Sequence, residues 1–314
     1  MLAVSALPGL LPAFQLLGAA PADIQFQADY IVVFYRLKHH LDPTEFTNRQ
    51  YIGYGILLAI WLAGSFQRKS RKVDVWFAWF VFAAVFAAMI GLAVGMGERP
   101  ADKLPYDELK MKVRLLKFYP FRLADIILPI ACSIVIVGLS ANIKRRLSRT
   151  AVDRFIGIDW GARLLLAGVM VFAVTVPSRS WERNPSRMRR EQLTDWKNAC
   201  RWISENTRDD AQFLTPQKSW AFKWYAQRAE FVVHKDCPQE AAGIVEWNRR
   251  LIYLAAWKRK YFRDGYPMEA IQALQHETKV THILASRPVR LPLEPLYGNE
   301  HYRVYRLPRG NHLL

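Results

Sequence analysis

Residues 75–96, VWFAWFVFAAVFAAMIGLAVGM, carry no charged side chain. As a helix this stretch is about 33 Å long, which matches a hydrocarbon core about 30 Å thick. A run of this kind rules out an ordinary water-soluble fold for that part of the chain. It predicts a transmembrane helix and sets the frame for its neighbours.

Three further stretches read as spans beside it. Residues 51–66 (YIGYGILLAIWLAGSF) are uncharged and end in the basic run that precedes residue 75, which predicts a helical hairpin. Residues 123–143 are uncharged apart from Asp125 and contain Pro129, which membrane helices tolerate. Residues 163–178 are short, but Trp160 and Trp181 flank them as interfacial anchors. The first twenty residues lack a basic start and contain Pro8 and Pro12, so they read as a broken membrane helix rather than a signal peptide. The expected fold is an α-helical transmembrane bundle of about four spans followed by a small soluble α/β domain with a partly parallel sheet. Its parts are an N-terminal apolar and amphipathic segment (1–50) ending in HHLDP, a membrane region (51–178), a linker (179–189) and an extracytoplasmic α/β domain (190–314).

The net charge of +17, from 44 Lys and Arg against 27 Asp and Glu, would suit a polyanion partner in a soluble protein. Here the basic residues crowd the ends of apolar runs: Arg68, Lys69, Arg71 and Lys72 in one loop, Lys144, Arg145 and Arg146 in another. That is the positive-inside pattern, and no nucleic-acid motif accompanies it, so the expected partner is a lipid bilayer and not nucleic acid. Alternation of spans then puts the C-terminal domain outside the cytoplasm of a multi-pass inner-membrane protein. In residues 109–118, Lys110, Lys112, Arg114 and Lys117 alternate with apolar residues, which suits a segment lying on a lipid surface. Cys132, Cys200 and Cys237 have no metal-ligand spacing, so no metal site is expected from them. Buried thiols are the plainer reading, with a Cys200–Cys237 disulfide as the alternative.

Beyond residue 190 the pattern changes to that of a water-soluble domain. Leu193, Trp196, Cys200 and Ile203 form one apolar helical stripe. Residues 211–215, 229–234, 281–286 and 302–307 read as strands, with helices over 240–260 and 268–277. Phe213, Leu214, Val232, Val233, Ile283 and Leu284 are the expected sheet core. No GxGxxG, P-loop, GxSxG or HExxH string occurs in this domain.

The string WKNACRWISENTRDDAQFLTP (196–216), with WYAQR (224–228) and VVHK (232–235), resembles the C-terminal region of uncharacterised bacterial multi-spanning membrane proteins. These resemble, more distantly, the GT-C glycosyltransferases, whose polyprenyl-phosphate sugar donors and outward-facing α/β tail the resemblance would imply here. Arg208 stands where the uncharacterised family usually has proline. Nothing matches the acidic catalytic motif of GT-C enzymes, and four spans are too few for that class.

Candidate site residues are the titratable groups beside the apolar runs: Arg36, His39, His40, Asp42, Arg122 and Asp125. Each has a structural reading. Asp42, before Pro43, can cap the segment that follows, and Arg122 and Asp125 can neutralise each other at three-residue spacing. Read functionally, they would hold a lipid-linked phosphate or a divalent cation at the membrane surface. Trp220, Trp224 and Tyr225 could stack a sugar ring or belong to the core. Two functions stay open: a glycosyltransferase, or the residual half of one, using a polyprenyl-phosphate sugar, and a non-enzymatic membrane-anchored binding or assembly protein. No catalytic residue is assigned, and a divalent cation is the one cofactor considered.

Overall fold

The computed structural model describes residues 20–66, 72–98, 103–147, 188–216, 221–261 and 265–308, with side chains described at all of these except 66, 72–74 and 139–147. The chain divides into two compact units, Met1–Val176 and Pro177–Leu314.

The described part of the first unit is helical. Helix α1 (Ala22–Ile31) runs into a π-helical turn (Val32–Arg36), the single turn α2 (Lys38–Leu41) and a 3-10 turn (Pro43–Glu45). Then come α3 (Asn48–Phe66), α4 (Lys72–Gly95), α5 (Tyr106–Leu116) and α6 (Arg122–Leu147). A reciprocal cap starts α3: Thr47 Oγ1 accepts from the Gln50 N–H at 3.3 Å, and Gln50 Oε1 accepts from the Thr47 N–H at 2.7 Å. Both α3 and α4 pack on α6 around Trp61, Val81, Leu128 and Val135. Gly64 permits the approach of α3 to α6, because a Cβ there would lie 2.0 Å from Val135 Cγ1.

The expected four-span bundle is not what forms. Among the described residues one helical stretch, Val75–Gly95, is long and apolar enough to cross a membrane. The three polar residues Asn48, Arg49 and Gln50 fall inside α3, which leaves an apolar part of about 24 Å, shorter than a hydrocarbon core. Arg122 and Asp125 lie within the first turn of α6, and its side chains past residue 138 are outside the described residues. The expected span at 163–178 and the broken helix over residues 1–19 also lie outside them. Only 28% of the most apolar part of Val75–Gly95 is buried. Its exposed face carries Trp76, Trp79, Phe82 and Phe86, and Ile52, Ile56, Ile126, Ile130 and Ile134 are exposed on α3 and α6.

The apolar stripe of α5 meets protein. Leu109, Val113 and Leu116 are buried with Val33, Leu41 and Ala84 in a second core. Lys112, 4% exposed, donates through Nζ to the carbonyls of Val94 and Met96 at 2.7 Å each and lies 3.2 Å from Glu108 Oε1. These carbonyls belong to the C-terminal end of α4, where a cation also meets the negative end of the helix dipole. Lys117 is engaged as well, at 2.7 Å from Asp29 Oδ2. Lys112→Met is expected to lower the stability of the N-terminal unit by about 1–3 kcal/mol, since two carbonyls at a helix end lose a buried donor. Arg114→Met, on the exposed side, should change it by less than about 0.5 kcal/mol. Denaturation of the full chain in detergent, followed by tryptophan fluorescence, checks both.

The second unit contains α7 (Arg190–Asn206), β1 (Gln212–Leu214), α8 (Phe222–Ala226), β2 (Ala229–Glu230), α9 (Ala241–Tyr261), α10 (Met268–Thr278), β3 (His282–Ser286), β4 (Pro295–Gly298) and β5 (Tyr302–Arg306). The sheet order is β2-β1-β3-β5-β4. Strands β2, β1 and β3 are parallel, while β5 is antiparallel to both β3 and β4, so the sheet is mixed. Trp196, Cys200 and Ile203 of α7 are buried against Phe213, Phe222, Leu284 and Tyr302. Val232 and Val233 are buried beyond the end of the two-residue β2 rather than within a strand. None of the three cysteines is in a disulfide, so no Cys200–Cys237 bridge forms.

Candidate functional site

In the N-terminal unit, a cavity of about 400 Å³ opens where α2 and the start of α3 meet α4 and α6. Its polar rim consists of His39, His40, Arg49, Gln50 and Asp125. Its walls are Phe46, Leu57, Met89, Leu92 and Phe121. The rim comes from the polar residues that start α3, from the single turn α2, and from the first turn of α6. The walls are apolar side chains of the long helices together with Phe46 and Phe121, which stand just before α3 and α6.

Of the six residues singled out in the sequence, three line this cavity: His39, His40 and Asp125. The imidazoles of His39 and His40 sit with centroids 4.1 Å apart on the tight turn α2. Burial is the first influence on His40; with the His39 and Arg122 charges it moves the imidazole below its ordinary pKa, against a smaller opposing effect from Asp125. Arg122 is exposed at the start of α6. It lies near enough to act on His40 without being part of the cavity lining. Arg122 and Asp125 do not close the ion pair that their spacing allowed, since no N–O approach within 4.0 Å joins them.

Asp42 is buried and accepts from the Thr44 N–H at 3.0 Å and the Thr44 hydroxyl at 2.7 Å, capping the 3-10 turn. Arg36 is half-buried in the π-helical turn, away from the cavity lining. Arg49, Gln50 and Tyr54 were missed by the sequence reading, although the Thr47 to Gln50 capping spacing marked the helix start that presents them.

The C-terminal unit holds a second cluster, also not anticipated. It lies where the parallel strands β1 and β2 end, the edge at which open α/β sheets place their ligands. The Thr215 hydroxyl, one residue past β1, donates to Glu230 Oε1 at 2.7 Å, and Glu230 Oε2 is buried with no hydrogen-bond partner. Lys258 Nζ approaches the Thr215 carbonyl at 3.4 Å. Burial pushes the Glu230 carboxyl up to about 7 and the Lys258 ammonium down to about 8. Opposed shifts of this kind mark groups able to exchange protons near neutral pH. The sequence signal was an acid opening the apolar run AEFVVH. Of the aromatic trio, Trp224 is exposed, Tyr225 packs at the edge of the core, and Trp220 lies outside the described residues.

Residues 194–254 match a family described as Domain of unknown function (DUF6798). This fits an uncharacterised family, and the matched stretch runs from the first turns of α7 to the middle of α9, so that it includes Thr215 and Glu230. No curated protein and no solved structure matches the chain.

Proposed function

We propose that this is a membrane-associated binding protein whose N-terminal unit takes up an amphiphile with an anionic, phosphate-type head group. The observation that carries this reading is the two-part lining of the cavity. Cationic and imidazole donors, Arg49, His39 and His40, ring its mouth above apolar walls. Charge-assisted donors suit a phosphate, and the walls suit an isoprenoid or acyl chain. Membrane association is supported by the Val75–Gly95 helix with its largely unburied apolar face. The basic residues before it favour that end on the cytoplasmic face, with the C-terminal unit on the other side of the cell membrane. A second reading, sugar transfer from a polyprenyl-phosphate donor as in GT-C enzymes, is favoured by one feature: Asp125, a carboxylate at the cavity, would be the base that deprotonates the acceptor hydroxyl.

The test is binding of undecaprenyl monophosphate, with the uncharged polyprenol as comparison, to the full chain in nanodiscs. The parent protein should prefer the phosphate. Arg49→Ala and the double change His39→Ala, His40→Ala should each weaken binding by about tenfold or more, as loss of a charge-assisted contact does. Arg122→Ala should weaken it less, and Arg36→Ala not at all. Equal affinity for phosphate and alcohol would overturn the head-group assignment.

A further inference from the structure

The C-terminal unit carries a basic hollow that the reading above leaves unused. It encloses about 510 Å³ at the carboxyl end of β3, bounded by the residues that lead into β5 and by the first turn of α7. Arg287, Arg290 and Arg303 line it together with Gln192, Ser286 and His301. Among the described residues none of the three guanidiniums forms an ion pair with a carboxylate; Arg287 Nη1 donates to the Glu300 carbonyl at 3.2 Å. Two carboxylates, Glu300 and the Asp195 that holds His301, offset part of this charge and leave an excess of one guanidinium. Three arginines around one hollow, none of them in an ion pair, repel each other, and an anion among them relieves that repulsion.

His301 is held in place there. Its Nδ1 lies 2.7 Å from Asp195 Oδ2, and its N–H donates to Asn299 Oδ1 at 3.1 Å. Asn299 Nδ2 in turn donates to the Asp195 carbonyl at 2.8 Å, so the β4–β5 turn is fixed to α7. A fixed side chain costs less ordering on binding than a free one. Arg290 also lines a neighbouring hollow of about 570 Å³ with Lys260, Tyr261 and Tyr266. The Tyr266 ring stacks on Trp257 with centroids 4.8 Å apart.

We infer that the two hollows form one site for a small phosphomonoester carried on a ring. The phosphate lies among Arg287, Arg303 and His301, the ring lies against Tyr261 and Tyr266, and Arg290 stands between them. A rival occupant of the first hollow is a divalent cation, since ligand atoms of Asp195, Glu300 and His301 lie within 4.8 Å of one another. The three guanidiniums oppose it.

Calorimetric titration of the full chain in nanodiscs tests the assignment, with adenosine 5′-monophosphate, glucose 6-phosphate, inorganic phosphate, adenosine and Mn²⁺ as probes. The two phosphomonoesters should bind and adenosine should not; whichever phosphomonoester binds more tightly identifies the ring as nucleobase or sugar. Arg290→Ala, at an exposed residue, and the pair Arg287→Ala, Arg303→Ala should each cut phosphomonoester affinity by about tenfold or more. Tyr266→Ala should weaken the monoesters and leave inorganic phosphate unchanged. The His39→Ala, His40→Ala protein should bind these probes like the parent, which separates failure here from failure of the lipid reading. Mn²⁺ binding in the absence of phosphate, equal affinity for adenosine and its monophosphate, or no binding of any phosphate by the parent would each overturn the proposal.

Discussion

Arg228→Ala is expected to lower the stability of the C-terminal unit by about 3–5 kcal/mol, enough to unfold a marginal domain. The guanidinium is 7% exposed and serves the end of α7. Its Nη2 donates to the carbonyls of Ser204 at 2.9 Å and Thr207 at 2.7 Å. Nη1 donates to the Gln227 carbonyl at 3.0 Å, and Nε to the Thr207 hydroxyl at 3.2 Å. Carbonyls at a helix end have no partner within the helix, so truncation strands several partly buried acceptors at once. Arg228→Lys should recover little, because an ammonium does not present a planar fork. Asp209, 3.2 Å from Nη2 but exposed, should cost less than about 1 kcal/mol when changed to alanine. Unfolding of the full chain in detergent, read by near-ultraviolet circular dichroism, would separate these outcomes; equal losses for Arg228→Ala and Asp209→Ala would refute the capping role.

Glu230→Gln should stabilise the same unit in a pH-dependent way. The folded-state carboxyl is pushed up to about 7 by burial, from an ordinary value of 4.5. A raised carboxyl favours the folded state most fully below the unfolded value, and that advantage is lost as pH rises from 4.5 through 7. The interval corresponds to about 3 kcal/mol as an upper bound. Glutamine keeps the shape and an acceptor for the Thr215 hydroxyl but never ionises. At pH 5 variant and parent should differ by less than about 1 kcal/mol, and at pH 8 the variant should be more stable by about 2–3 kcal/mol. A difference that stays constant between pH 5 and 8 would show that Glu230 does not titrate in the folded protein over that range.

The C-terminal unit was the more legible, for a simple reason. An amphipathic helix in water has one face to hide, so the spacing of Trp196, Cys200 and Ile203 pointed to their burial. Phe213, Leu214, Ile283 and Leu284 lie in short apolar strands that are buried on both faces of the sheet. Strand β4 escaped notice because it begins with Pro295 and leaves Leu296 exposed. In the N-terminal unit the alternation around Lys112 was equally clear, yet periodicity says that a face must be covered and not by what. Protein covers it here, where lipid had been expected. Apolar runs were also read as spans without weighing the polar residues that the helices take in at their starts.

The same contrast governs the sites. His39, His40 and Asp125 were visible as titratable groups beside apolar segments, and folding brings them to one cavity. Asp42 is used up in its cap, Arg36 lies elsewhere, and Arg49 was hidden at the end of the N-terminal segment, just past HHLDP. Glu230 looked like an ordinary acid at the start of a strand. Its raised pKa comes from the surrounding fold, above all from its burial beside Thr215 at the end of β1.

The outer strands of the C-terminal sheet also bear on how many copies can coexist. β2 pairs through only two residues, and the other edge, β4, begins with a proline and slips register between Pro295 and Tyr297. A sheet recruits a neighbour by offering a straight row of unpaired N–H and C=O groups, and neither border offers one of useful length. Molecules gathered at high density in two dimensions would therefore collide without zipping into fibrils, so crowding alone should not convert this domain into an aggregate.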